Sequence, residues 1–143
     1  MNESIPDQFW EGVEQFNTRQ FYTCHDTLEA LWMEATEPQK TFYQGILQLA
    51  VALYHLGNAN WRGAVILLGE GIHRLHRYSP IFSGIDVEEL VDTSSHLLAQ
   101  LQQAGPEKVG DWIVTEEFNA NSDLLPIITT VQPESMGVCI GDA

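Results

Sequence analysis

Positively charged residues are scarce in this chain of 143 residues. Six Lys and Arg stand against 20 Asp and Glu, so the formal net charge is −14. Proteins bind nucleic acids largely by neutralising phosphates with Lys and Arg, and anionic membrane surfaces attract basic segments in the same way. The composition therefore argues against nucleic acids and membrane surfaces as partners.

Cysteine and long hydrophobic runs are also scarce. Cys24 and Cys139 form no CxxC pair, and Cys24 falls on the apolar side of a predicted helix, which favours a small core residue over a nucleophile. The longest uncharged run, residues 41–61, contains Gln, His and Asn side chains that a lipid-exposed span carries only at high cost. No apolar signal segment is visible at the start. We expect a cytoplasmic protein.

Apolar residues, which make up 44% of the chain, recur at helical spacing through the first hundred residues. This pattern predicts one all-α domain, a compact array of about five helices within residues 1–104. Residues 105–143 lack sustained periodicity and predict an acidic, mostly irregular tail, in which Trp112-Ile113-Val114 and Ile127-Ile128 pack back on the domain. The predicted helices cover residues 7–16, 19–35, 38–56, 60–78 and 87–104.

Two local signals refine the predicted helices. Asp86 and Glu89 have the spacing of a capping box, in which each side chain accepts a hydrogen bond from the other residue's backbone N–H. Gly63, Gly69 and Gly71 lower the intrinsic helix propensity of the fourth helix. They either let a neighbouring helix approach closely or are simply tolerated, and the spacing does not distinguish the two.

Polar side chains stand out in the two most apolar helices. His25 and Glu29 lie one turn apart on the second helix. Gln44, Gln48 and His55 fall within about 40° of one another on the third. Because short connections favour antiparallel neighbours, we expect these five residues to face each other in one cluster, the polar seam.

Three interpretations of the polar seam remain open. It can be a structural network that pairs its own polar groups, a pocket that binds a small polar ligand, or a divalent metal site formed by His25, Glu29 and His55. The HExxH and repeated ExxH patterns of established helical metal sites are absent. If the seam is structural, Glu29→Ala should destabilise the fold by about 1–3 kcal/mol.

The residues Phe21-Tyr22-x-x-His25-Asp26-x-Leu28-Glu29-x-Leu31-Trp32, followed by Gln44-Gly45-x-x-Gln48-x-Ala50 and Gly63-Ala64-x-x-Leu67-Leu68, resemble a bacterial and archaeal family described as a domain of unknown function. Its hallmark is an H-E-x-L-E-x-x-W helix before a Q-G-x-I-Q-x-A helix. Asp26 stands where the family usually has Glu. The resemblance covers about residues 16–78 and implies a compact all-helical fold, with no established activity, substrate or cofactor.

We therefore expect a small binding or interaction protein that uses the cleft between the second and third helices. A small polar ligand or a protein is the expected partner, and a homodimer through an apolar helix face is a further possibility. The alternative is a metal-dependent or acid–base enzyme of hydrolase type that uses His25, Glu29 and His55.

Overall fold

The computed structural model describes residues 5–112 and 124–131 of the chain. Its described part confirms the all-α class. A 3-10 helix, His76–Tyr78, replaces the last turn predicted for the fourth helix, and another, Pro106–Trp112, follows the fifth. No described helix has the length and apolarity needed to cross a membrane. The α-helices are α1 (Asp7–Asn17), α2 (Phe21–Glu34), α3 (Gln39–Gly57), α4 (Trp61–Leu75) and α5 (Val87–Ala104).

Consecutive α-helices pack against each other in antiparallel pairs, as their short connections favour. The Tyr22 ring at the start of α2 lies 5.4 Å from the Tyr54 ring near the end of α3, measured between centroids. At the other side of the array, the Trp61 indole N–H at the start of α4 donates to the Leu101 carbonyl near the end of α5, at 2.8 Å. The order of the helices in space therefore follows their order in the chain.

Helix α3 occupies the centre of this array. It packs on α2 along one side and on α4 along another. A helix covered on most faces must be apolar nearly all round, which explains the long uncharged segment in the sequence. Its buried residues are Phe42, Tyr43, Gly45, Ile46, Gln48, Leu49, Ala50, Ala52, Leu53 and Leu56.

Side-chain caps fix the starts of α4 and α5. Asn60 Oδ1 accepts the Gly63 N–H at 2.9 Å, and Asp86 Oδ1 accepts the Glu89 N–H at 2.9 Å. The predicted Asp86 cap is therefore present. The return bond of the capping box is replaced, because the Asp86 N–H donates to the Thr129 carbonyl at 2.8 Å.

A two-stranded hairpin between α4 and α5 lies outside the helical prediction. β1 (Ile81–Phe82) pairs antiparallel with β2 (Ile85–Asp86). The two loop residues, Ser83 and Gly84, have φ values of 49° and 77°. Two positive φ angles in a two-residue loop are typical of a type I′ turn, which matches the right-handed twist of the strands.

The predicted tail, residues 105–143, is described only in part. Asn17 of α1 exchanges two hydrogen bonds with the backbone of Ile128, at 2.7 and 2.9 Å, and Thr130 forms a β-bridge with Ile85. The side chains of Trp112 and Ile128 are buried. These described segments therefore lie against the helices, whereas Ile113, Val114 and the residues after 131 fall outside the described part.

Ser94 provides a test of packing in α5. Its side chain is fully buried, and its hydroxyl has no hydrogen-bond partner among the described residues. Burying an unpaired hydroxyl costs about 1–3 kcal/mol, and Ala is also the better helix former. We expect Ser94→Ala to raise the free energy of unfolding in urea by about 0.5–2 kcal/mol.

Ser95→Ala is the matched control for Ser94→Ala. Ser95 is the exposed neighbour on the same helix, so this change gains only the difference in helix propensity, about 0.5 kcal/mol. A loss of stability in Ser94→Ala would contradict the prediction, because it would mean that the hydroxyl is hydrogen-bonded in solution.

Candidate functional site

Gln48 lies on the side of α3 that meets α4. Its amide Nε2 donates to Glu70 Oε1 at 2.9 Å, and Arg74 donates to Gln48 Oε1 at 3.1 Å. Gln48 thereby joins an acid and a base that are one turn apart on α4. Its side chain is 9% exposed, so these two bonds meet the hydrogen-bonding needs of a nearly buried amide.

Helices α3 and α4 approach closely beside this network. A Cβ atom added at Gly71 would lie 2.9 Å from the Gly45 carbonyl oxygen and 2.8 Å from Leu49 Cδ2. A Cβ added at Gly45 would lie 2.7 Å from Leu75 Cγ. Two glycines that face each other therefore set the spacing at which the Gln48 amide reaches α4.

His25 and Glu29 of α2 differ in their exposure. Glu29 is exposed, and the His25 side chain is 27% exposed. His25 Nδ1 lies 3.2 Å from Asp26 Oδ1. We expected the polar residues of α2 and α3 to face each other. In the described part of the chain, Gln48 is instead hydrogen-bonded to α4, and Glu29 lies at the surface of α2.

His55 lies in the last turn of α3. Its Nδ1 is 3.3 Å from the Asn60 amide Nδ2, which can donate to it if His55 carries its proton on Nε2. The same Asn60 side chain caps α4. A Cβ at Gly63 would lie 2.7 Å from Asn60 Nδ2 and 2.9 Å from the His55 ring, so Gly63 leaves the space that this contact needs.

A cleft between the start of α2 and the end of α3 brings two of the predicted residues together. It has a volume of about 220 Å³, and its surface is almost wholly apolar. Tyr22 on α2 and Tyr54 on α3 are in contact there, with ring planes inclined by 43°. Six residues line this aromatic cleft: Phe21, Tyr22, His25, Val51, Tyr54 and His55.

The expected cluster of five residues is therefore divided. The aromatic cleft contains His25 and His55, and Gln48 belongs to the network with Glu70 and Arg74. Gln44 is half-buried on α3, one turn before Gln48. The ligand-binding role of the five residues stays a prediction, and of the five only His25 and His55 line the cleft.

The aromatic members of the cleft, Tyr22 and Tyr54, were not among the site residues predicted from the sequence. A signal for them existed. In an antiparallel pair with a short connection, the start of α2 lies opposite the end of α3, which places Tyr22 near Tyr54. Both are large apolar side chains that remain exposed, 59% for Tyr22 and 41% for Tyr54.

A possible metal-binding group lies beside the cleft. One ligand atom from each of His25, Asp26 and Glu29 lies within 4.8 Å of the others. These are hard and borderline donors of the kind that bind zinc. The group includes Asp26 in place of the predicted His55, and metal binding there stays a prediction.

Cys24 is not available as a nucleophile. Burial raises the pKa of its thiol to about 12, and its Sγ donates to the Gly12 carbonyl at 3.3 Å. A thiol with such a pKa is almost wholly protonated at neutral pH, and the thiolate is the reactive form. Cys24 is therefore a packing residue between α1 and α2, as predicted.

Comparison with known proteins supports the resemblance seen in the sequence. Residues 9–67 match the family described as Domain of unknown function (DUF309). This segment is therefore similar to DUF309 domains. The chain is also similar to the uncharacterized protein YpuF of Bacillus subtilis (strain 168), with 33% identity over 100 residues.

The DUF309 segment contains the whole aromatic cleft. It runs from α1 into the first half of α4 and so includes both walls, Phe21–His25 and Val51–His55. Glu70 and Arg74 follow its end. The similarity to YpuF covers 67% of this chain and 57% of YpuF, so the chain spans little more than half the length of that relative. No function is established for the family or for this relative.

Proposed function

We propose that this protein is a binding module whose aromatic cleft receives one apolar group of a ligand. The observation that carries the proposal is the cleft itself, a cavity of about 220 Å³ lined by aromatic side chains from both α2 and α3. Concave apolar sites with a few polar groups at the edge are the usual form of binding pockets.

The exposure of the two tyrosines supports this proposal. Covering apolar surface is favourable by about 25 cal/mol per Å² relative to leaving that surface in water. Tyr22 and Tyr54 nevertheless present their rings to solvent side by side. An apolar ligand in the cleft would cover both rings at once, and the phenol groups can stay hydrated because Tyr is amphipathic.

Binding is favoured over acid–base or metal-dependent catalysis by the positions of the polar atoms. The cleft surface is almost wholly apolar, so it presents little that could transfer a proton. The Nδ1 atoms of His25 and His55 are directed to Asp26 and Asn60. We propose that the two histidines shape the walls of the cleft. A cytoplasmic location stays a prediction, to be tested by cell fractionation.

Indole is a suitable probe because its ring has the size of one large side chain. We expect indole to shift the amide NMR signals of α2 and α3 around the cleft in a saturable way, with a Kd on the order of 1 mM. Val51→Trp should abolish these shifts, since the larger side chain fills the cavity from its own wall.

Ile66→Trp is the matched control for the indole experiment. Ile66 is a 46% exposed apolar residue on α4, and the change adds the same aromatic ring outside the cleft. Indole should bind this variant as it binds the wild type. Shifts that do not saturate, or that persist unchanged in Val51→Trp, would refute a binding site in the aromatic cleft.

A further inference from the structure

We propose that the natural occupant of the aromatic cleft is a basic polypeptide segment that inserts one large apolar side chain. This inference rests on the proposed binding function and names its partner. It follows from two features of the described residues: the size of the cavity and the acids at its rim.

The size of the cleft favours a single side chain. Sites for drug-sized ligands and cofactors usually occupy about 300–1,000 Å³, whereas the cleft has about 220 Å³. A second cavity, of about 370 Å³, shares Phe21, Tyr22 and Tyr54 with the cleft. We infer that the two adjoining cavities suit an extended chain with one anchor.

The rim of the cleft is acidic. Asp26 and Glu29, here called the rim acids, are exposed and have carboxylate oxygens within 4.8 Å of a ring nitrogen of His25, which lines the cavity. Helix α2, Phe21–Glu34, contains no Lys or Arg. An anchor in the cleft would therefore bring the neighbouring residues of its chain to two carboxylates, which attract Lys and Arg.

The rim acids give the partner a direction. We infer that the basic residues of the partner lie along α2 beside Asp26 and Glu29. Complementary charge placement of this kind mainly fixes orientation and speeds association.

The experiment uses short fluorescent peptides as probes. The first has one Trp flanked by Lys residues, the second replaces this Trp by Ala, and the third replaces the Lys residues by Glu. Fluorescence anisotropy with the full chain should give a Kd about tenfold or more lower for the Lys-flanked Trp peptide than for either of the others. Val51→Trp should remove its binding.

A paired substitution tests the rim acids against the general negative charge of the protein. Asp26→Asn with Glu29→Gln should remove most of the preference for Lys over Glu flanks. Glu88→Gln with Asp92→Asn removes the same charge from exposed sites on α5, and should leave the preference in place.

The outcomes separate this inference from the proposed function. If indole binds in the cleft but the Lys-flanked and Glu-flanked peptides bind equally, the basic partner is refuted and the binding function stands. The inference is also refuted if the control pair on α5 lowers the preference as much as the rim pair does. If indole fails to bind, the proposed function itself is refuted.

Discussion

Gly71→Ala is expected to destabilise the fold by about 1–3 kcal/mol, because it overpacks the closest contact between α3 and α4. The added Cβ would lie 2.9 Å from the Gly45 carbonyl oxygen. This atom belongs to the backbone of the central helix and cannot rotate away as a side chain can. The helices would have to separate, and the hydrogen bonds of Gln48 to α4 would lengthen with them.

Gly69→Ala is the matched control on the same helix. An added Cβ at Gly69 meets no atom within 4 Å, so the change should follow helix propensity alone and stabilise the fold by about 0.5–1 kcal/mol. Urea unfolding of both variants measures the difference directly. If both substitutions stabilised the protein, the close approach of α3 and α4 at Gly71 would be refuted.

The contrast between these two glycines shows what sequence analysis could and could not supply. The helices themselves were predictable, since apolar periodicity and caps such as Asp86 are local signals. The role of Gly71 was not, because Gly69 and Gly71 have the same intrinsic effect on a helix. They differ only in what lies opposite each of them on α3, and this depends on tertiary packing.

The hairpin was missed, and the contact partners of the tail were not predictable, for a similar reason. Strands of two residues, such as Ile81–Phe82, are too short to show alternation, and only the Ser83-Gly84 turn could have indicated them. Asn17 and Ile128, which are hydrogen-bonded to each other, are 111 residues apart in the chain. A contact over such a distance leaves no periodic pattern in the sequence.

The site residues predicted on α3 show the limit of helical spacing. The spacing groups Gln48 and His55 in a strip about 40° wide on one side of α3. Such a strip lies at the boundary between two neighbouring helices, and a small rotation decides which neighbour each side chain meets. In the structure Gln48 contacts α4, while His55 faces the cleft beside α2.

Gln48→Leu tests whether the hydrogen bonds of Gln48 to α4, rather than a polar seam between α2 and α3, stabilise the packing of the central helices. The change keeps most of the side-chain volume and removes both hydrogen bonds, to Glu70 and to Arg74. Hydrogen bonds to charged groups contribute about 1.5–3 kcal/mol, and each partner here is partly or fully accessible to water, so we expect a loss of about 1–3 kcal/mol in unfolding free energy. A double-mutant cycle with Arg74→Ala should give a coupling of about 0.5–2 kcal/mol.

Glu29→Ala is the counterpart of that substitution, and the structure leads us to expect only a small change in the free energy of unfolding. The polar seam predicted from the sequence requires a loss of about 1–3 kcal/mol on removal of Glu29. In the structure Glu29 is exposed on α2, and substitutions at such positions usually change stability by less than about 0.5 kcal/mol. If Gln48→Leu left the stability unchanged and Glu29→Ala lowered it, the results would support the predicted polar seam between α2 and α3. If instead Gln48→Leu were destabilised and Glu29→Ala were not, Glu29 would have no structural role. Its proposed role at the rim of the aromatic cleft would then be detected by binding experiments alone.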